Sequence, residues 1–199
     1  MKHLADPCKT RKHELTGERL CLREVMLSDV EGPYLQWMND AEVLRYTESR
    51  FHPHSQAQLC DYVTRINASP DFVFRAITLR DTGRHIGNIK LGPIDWNQGF
   101  GDIGFIIGAK ECWGKGYAAE SIQLLAGYAF GSLKLHKLTA SCYAVNIGAI
   151  KTLKKAGFEQ LEKDDKYFSD GKSVDVVWFR LLEPITGKIR DEQERNGDA

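Results

Sequence analysis

In RLCLREV (19–25), Leu20 and Leu22 alternate with Arg19 and Arg23, the period-two pattern of a strand with one buried face. SDVEGPYLQWMND then predicts a short helix capped by Ser28 and interrupted early by Gly32-Pro33. Over 54–69 the period becomes helical, with Leu59, Tyr62, Val63 and Ile66 on one stripe and Ser55 as the cap. Two strand-like runs, 72–80 and 85–94, flank the turn signal DTGR and predict a hairpin. In DIGFIIG (102–108), Ile103, Phe105 and Ile107 share a face.

The next helix places Ala118, Ile122, Leu125 and Ala129 on one stripe, with Ala126, Phe130 and Leu133 beside it. A strand over 137–145 and a short helix over 146–158 follow, the helix capped by Asn146 and stopped by Gly157. FEQLEKDDKYF and SVDVVWFRLL, joined by Ser-Asp-Gly-Lys, close an antiparallel pair. The order β, α, α, three strands, α, β, α, β, β describes one α+β domain over 16–184. Polar segments at 1–15 and 185–199 are expected to be flexible.

Composition narrows the class. The chain has 199 residues, and its 27 Lys plus Arg balance 27 Asp plus Glu, which argues against an electrostatic grip on nucleic acid or an anionic membrane. Five scattered cysteines form no CxxC pair, so neither a disulfide framework nor a zinc site is expected. His52 and His54 have metal-like spacing without a third ligand, and no metal is expected. No apolar run reaches transmembrane length and the N-terminus has no apolar leader core, so the expected location is cytoplasmic.

The chemistry concentrates at WGKGYAAESIQLLAGYAF (113–130), where a strand leads through Gly-Lys-Gly into a helix. The first N–H groups of a helix lack intrahelical partners, and the dipole makes that end attractive to anions. Gly114 and Gly116 let the backbone approach a phosphate closely, and Lys115 adds a positive charge. A Walker loop does not fit, because Lys115 is followed by Gly116. A dinucleotide fingerprint does not fit either, because Ala119 stands at the third glycine position. A tight turn that simply requires glycine is the competing reading.

Glu111-Cys112-Trp113-Gly114-Lys115-Gly116, followed by the strand KLTASCYAVN and the helix ending KKAGF, resembles the GCN5-related N-acetyltransferase (GNAT) superfamily. WGKGYAAE, KAGF and DGKSVD resemble the branch around ribosomal-protein N-terminal acetyltransferases, and other stretches resemble its sugar-modifying members. The resemblance implies a mixed, mostly antiparallel sheet splayed at the cofactor site and flanked by helices, with acetyl-CoA as co-substrate. By the same resemblance Phe105, Ile106, Ile107 and Gly108 pair with the pantetheine arm, and Asn146 bonds to it. Trp113, Gly114, Lys115, Gly116, Tyr117 and Ala118 hold the pyrophosphate. Glu111 replaces the family's Gln or Arg and is expected to point outward.

Acetyl transfer to an amine needs a neutral nucleophile, and a lysine-like amine has a reference pKa of about 10.4. A base must take that proton. Asp102 is the candidate base, set against a structural role at the start of its strand. Leu153 and Ala149 stand where relatives carry a tyrosine and a serine, so Tyr143 is the substitute candidate for the acid. Cys142 reads as a small buried residue. For the acceptor, Trp37, Asn39, Arg45, Tyr46 and His52 are expected to form a pocket with Trp96, between residues 34–52 and the strands around Trp96. The expected partners are acetyl-CoA and an amine acceptor, preferably an amino-sugar nucleotide. A protein N-terminus is the alternative acceptor, and a non-catalytic CoA-binding domain is the alternative class.

Overall fold

The computed structural model describes residues 14–162, 165–169 and 172–184. β1 (Leu15–Thr16) and β2 (Leu20–Glu24) lead into α1 (Leu27–Asp29), a π-helical turn over Val30–Tyr34 and α2 (Leu35–Trp37). Ser28 lies inside α1 and does not cap it; Asp29 accepts from the Met26 N–H instead. Asp29 is fixed in that place by Arg23, whose two terminal nitrogens donate to its oxygens at 2.6 and 2.7 Å. The expected break falls at Gly32, whose ψ of −136° is not helical.

α3 (Gln56–Ala68) starts as the sequence predicts, with Ser55 Oγ accepting from the Gln58 N–H and Gln58 Oε1 accepting from the Ser55 N–H. β3 (Val73–Leu79), β4 (His85–Asp95) and β5 (Phe100–Ile107) form an antiparallel meander. α4 (Tyr117–Gly131), β6 (Lys137–Tyr143) and α5 (Ile147–Lys155) follow. β7 (Glu159–Gln160), β8 (Asp165–Ser169) and β9 (Lys172–Leu182) complete the sheet; the tip of the β8–β9 turn and both terminal segments lie outside the described residues.

Strand order is β1-β2-β3-β4-β5-β6-β9-β7, with β8 paired to β9. Among the described residues only β5 and β6 run parallel, so the sheet is mixed and mostly antiparallel. Ile86, Gly87, Asn88 and Ile89 are all buried, so β4 is covered on both faces of the sheet. α4 buries Ala119, Ile122, Leu125, Ala126, Ala129 and Phe130 at helical spacing. Ala118, expected on that stripe, is half-buried, and Ala119 takes its place.

Cys21 is disulfide-bonded, which the expectation of no disulfide framework did not foresee, while Cys60, Cys112 and Cys142 are free. No helix among the described residues is long and apolar enough to cross a membrane.

Candidate active site

The site begins where two strands part. β5 and β6 pair over three positions only, Phe100–Lys137, Gly101–Leu138 and Asp102–Thr139. Beyond them β5 stays tied to β4 as far as Ile107, and β6 stays tied to β9 as far as Tyr143. Each strand is held from outside, so their facing edges separate and leave β5 with backbone groups that no strand completes. At the last paired position Thr139 Oγ1 donates to Asp102 Oδ1 at 2.9 Å, fastening the fork. Burial pushes the Asp102 carboxyl up, against the opposing pull of the Thr139 hydrogen bond and the Lys90 charge.

Past the fork the chain turns sharply. A 3-10 turn over Lys110–Cys112 leads to Gly114 and Gly116, whose φ values of +73° and +81° lie in the left-handed region that favours glycine. Gly116 is the N-cap of α4 and supplies no side-chain acceptor, so the first N–H groups of that helix remain for a ligand. Arg19 fixes the loop from the side. Its Nε donates to Glu120 at 2.8 Å, its Nη1 donates to the Lys115 carbonyl at 3.0 Å, and its guanidinium stands over the Tyr117 ring. Glu120 therefore acts as an anchor of the loop. Trp113 Nε1 donates to the Ile107 carbonyl at 2.7 Å, at the open end of β5.

Fork and loop together bound a cavity of about 560 Å³. Phe105, Ile106 and Ile107 line it from β5, and Trp113, Gly114, Gly116, Tyr117 and Ala118 from the loop. Asn146, Ala149, Lys151, Thr152 and Lys155 line it from α5 and its cap, and Arg45 and Tyr46 from the early segment. Asn146 Oδ1 accepts from the Ala149 N–H, capping α5, which leaves its amide nitrogen as the group a ligand can use.

Two residues expected on the cofactor are placed elsewhere. Gly108 donates its N–H to the Ile86 carbonyl and packs against the Trp37 indole. Lys115 is exposed and does not line the cavity. Glu111 is exposed and ion-paired with Arg84, away from the cavity. The residues present fit an acetylated CoA arm: a free strand edge, an apolar floor, and a helix N-terminus at the far end.

The residues expected around the acceptor scatter. Trp37 is buried, edge-on to His85 at 4.8 Å between ring centroids. Asn39 spends its side chain on the Leu35 and His54 carbonyls and the His54 N–H. His52 is exposed and does not line the 560 Å³ cavity. Trp96, exposed, donates to Asp71 from the turn between β4 and β5. That turn is the closed end of the fork: β5 runs eight residues, Phe100–Ile107, roughly 23 Å from end to end at strand rise.

A second cavity, about 510 Å³, lies on the other side of Tyr46, which lines both. Glu48, Ser141, Cys142, Tyr143, Lys166 and Trp178 complete it with Val176. Of these, Glu48, Ser141, Lys166 and Trp178 were missed by sequence reasoning, as were Lys151 and Lys155 in the first cavity. Their only sequence signal is position, on the segments that the family resemblance sets around the fork. Arg50 stands over the rings of Phe51 and Tyr143, at 4.2 and 5.2 Å, and so ties the early segment to β6. Burial pushes the Cys142 thiol up to about 11, so at neutral pH it is no nucleophile.

A parallel pair that splays beside a glycine loop leaves a strand edge and an anion-attracting helix N-terminus facing one cavity. Residues 19–159 match the acetyltransferase (GNAT) domain, and the chain belongs to that family. It is an acetyltransferase, and acetyl-CoA is its co-substrate. The uncharacterized N-acetyltransferase p20 of Bacillus licheniformis is 31% identical over 172 residues, covering 84% of this chain and 95% of the relative. A GNAT-family acetyltransferase from Bacillus anthracis superposes with a TM-score of 0.75 at 20% identity, over 85% of this chain and 98% of that one. Spermidine N-acetyltransferase from Vibrio cholerae, solved with CoA and spermine, gives 0.72 at 22% identity, over 82% and 95%. At these identities the structural likeness shows the fold.

Proposed function

We propose that the protein transfers the acetyl group of acetyl-CoA, held in the 560 Å³ cavity, to a primary amine that enters through the neighbouring cavity past Tyr46. The observation that carries this is the β5 edge left unpaired beyond Asp102, directly before a loop with two left-handed glycines. The arm of the donor completes the sheet there, its thioester lies toward the fork, and its phosphates lie at the N-terminus of α4. The neutral amine nitrogen attacks the thioester carbon, the C–S bond breaks, and CoA leaves as a thiolate that takes up a proton.

Asp102 is the candidate base. Its raised carboxyl brings its proton affinity closer to the working pH, and it reaches the amine through water because it lines neither cavity. Tyr143, in the acceptor cavity, is the candidate acid. The preferred acceptor remains an amino-sugar nucleotide. Tyr46, Tyr143 and Trp178 supply the ring faces that a sugar stacks on, in place of Trp37 and Trp96, and Lys166 offers a cation to an anionic end. The branch resemblance supports a second reading, the N-terminal amine of a protein.

Thiol release from acetyl-CoA, followed against a panel of amino-sugar nucleotides, polyamines and peptides, tests both. Turnover of an amino-sugar nucleotide, with KM raised by Trp178→Ala and unchanged by Trp96→Ala, is expected. Rapid acetylation of a peptide N-terminus without turnover of any amino sugar would transfer the assignment to the second reading. No turnover of any amine would leave a CoA-binding domain without catalysis.

A further inference from the structure

The glycine loop offers Lys115 as its cation, yet the cations on the cavity wall come from α5. Lys151 and Lys155 both line it. A β-carbon built on Gly116 would lie 3.1 Å from Lys155 Nζ and 3.7 Å from Arg19 Nη2. Two cations thus converge on the N-cap of α4, one from the next helix and one from the bend before β2. Arg19 has committed its Nε and Nη1 to Glu120 and the Lys115 carbonyl, which leaves Nη2 toward the loop. Among the described residues neither Lys151 nor Lys155 has an ion-pair partner.

The helix dipole does not account for the pair. Lysines in a last helical turn are ordinary, and Lys154 and Lys155 occupy that turn. Lys151 stands outside it, and the Lys155 ammonium reaches over the loop of a different helix. Like charges at i and i+4 repel and destabilise the helix that carries them. The whole chain has no net charge, so these unpaired cations are a local concentration. An anion with more than one phosphoryl group between α5 and the glycine loop would relieve the repulsion.

We infer that Lys151 and Lys155, assisted by Arg19 Nη2, make the enzyme prefer a donor that carries the 3′-phosphate of CoA. The inference rests on the acetyl-CoA assignment of the cavity. A phosphate monoester carries close to two charges at neutral pH, whereas each phosphorus of a diester-like diphosphate carries one. The 3′-phosphate is therefore the group on which a lysine pair acts most strongly. The helix N-terminus, with its own N–H groups, serves the diphosphate.

Equilibrium binding of CoA, dephospho-CoA and pantetheine to the full chain tests this, read by calorimetry. The wild type is expected to hold CoA on the order of tenfold or more above dephospho-CoA, as for a lost charge-assisted hydrogen bond. Lys151→Met/Lys155→Met should weaken CoA on the order of tenfold, weaken dephospho-CoA much less, and so shrink that preference to within about threefold. Its melting temperature should not fall, since a repulsive pair is removed, and Lys154→Met should leave both affinities unchanged. Equal losses for CoA and dephospho-CoA in the double variant, or no loss for either, would overturn the inference. A wild type that binds no CoA would overturn the donor assignment itself, whatever the lysines do.

Discussion

Gly108→Ala separates packing from cofactor binding at a residue where the two compete. Its new β-carbon would fall 1.9 Å from Trp37 Cδ2 and 2.2 Å from Cγ, inside the indole. The ring meets His85 edge-on, itself bonded to the Gly87 carbonyl and Asn88 Oδ1 at 2.9 Å each, so a shift toward that side displaces a bonded neighbour. Overpacking a core usually costs about 1–3 kcal/mol, and a rigid ring backed by a bonded neighbour places this case toward the upper end. For a domain of this size about 2–3 kcal/mol lowers the melting temperature by roughly 4–12 °C.

The double variant Gly108→Ala/Trp37→Leu should recover about 1–2 kcal/mol relative to the sum of the single changes, since the smaller side chain accepts the methyl. Urea and thermal melts of the four proteins read that coupling. CoA affinity of the folded Gly108→Ala protein should stay within about twofold, because Gly108 does not line the donor cavity. An unchanged melting temperature, or lost CoA affinity at full stability, would refute this reasoning. The second outcome would return Gly108 to the pantetheine edge.

Gly116→Glu should abolish CoA binding: φ of +81° strains any side chain there, and its carboxylate would pair with Lys155 where the phosphate belongs. Asp102→Asn should lower turnover on the order of a hundredfold with CoA affinity nearly unchanged, and kinetics of both parameters check this. The same variant has a pH signature. Burial raises the folded carboxyl above its usual 3.8, so its contribution to stability is present below that value and lost as pH rises through the folded pKa. Asn cannot ionise, so its melting temperature should gain on the wild type as pH rises through that window, and a constant difference would contradict the burial. Tyr143→Phe should lower kcat less than Asp102→Asn, because a thiolate leaves readily without an acid.

Local patterns carried the sequence reading wherever one segment decides the outcome. The Ser55 cap was visible because it stands just before a helical stripe, and the Asn146 cap because it opens a short amphipathic run. The glycine loop was visible because left-handed backbone leaves glycine as its trace. Ser28 misled because the decision belonged to Arg23, which holds the Asp29 carboxylate where it accepts from the Met26 N–H at the start of the helix. Trp96 misled because hydrophobic spacing does not say which end of a hairpin faces the fork. Gly108 and Trp37 meet across 71 residues, and Lys155 reaches Gly116 across 39; no spacing rule connects such pairs. The 510 Å³ cavity is the extreme case, since Tyr46 and Trp178 join it from distant parts of the chain.

Calorimetric titration of CoA into the full chain, with Gly116→Glu as the control, tests the central claim most directly. One saturable site is expected in the wild type, with a dissociation constant below about 1 mM, and no heat of binding in the variant. Absence of binding by the wild type at millimolar CoA, or equal binding by both proteins, would contradict the placement of the donor between the fork and the glycine loop.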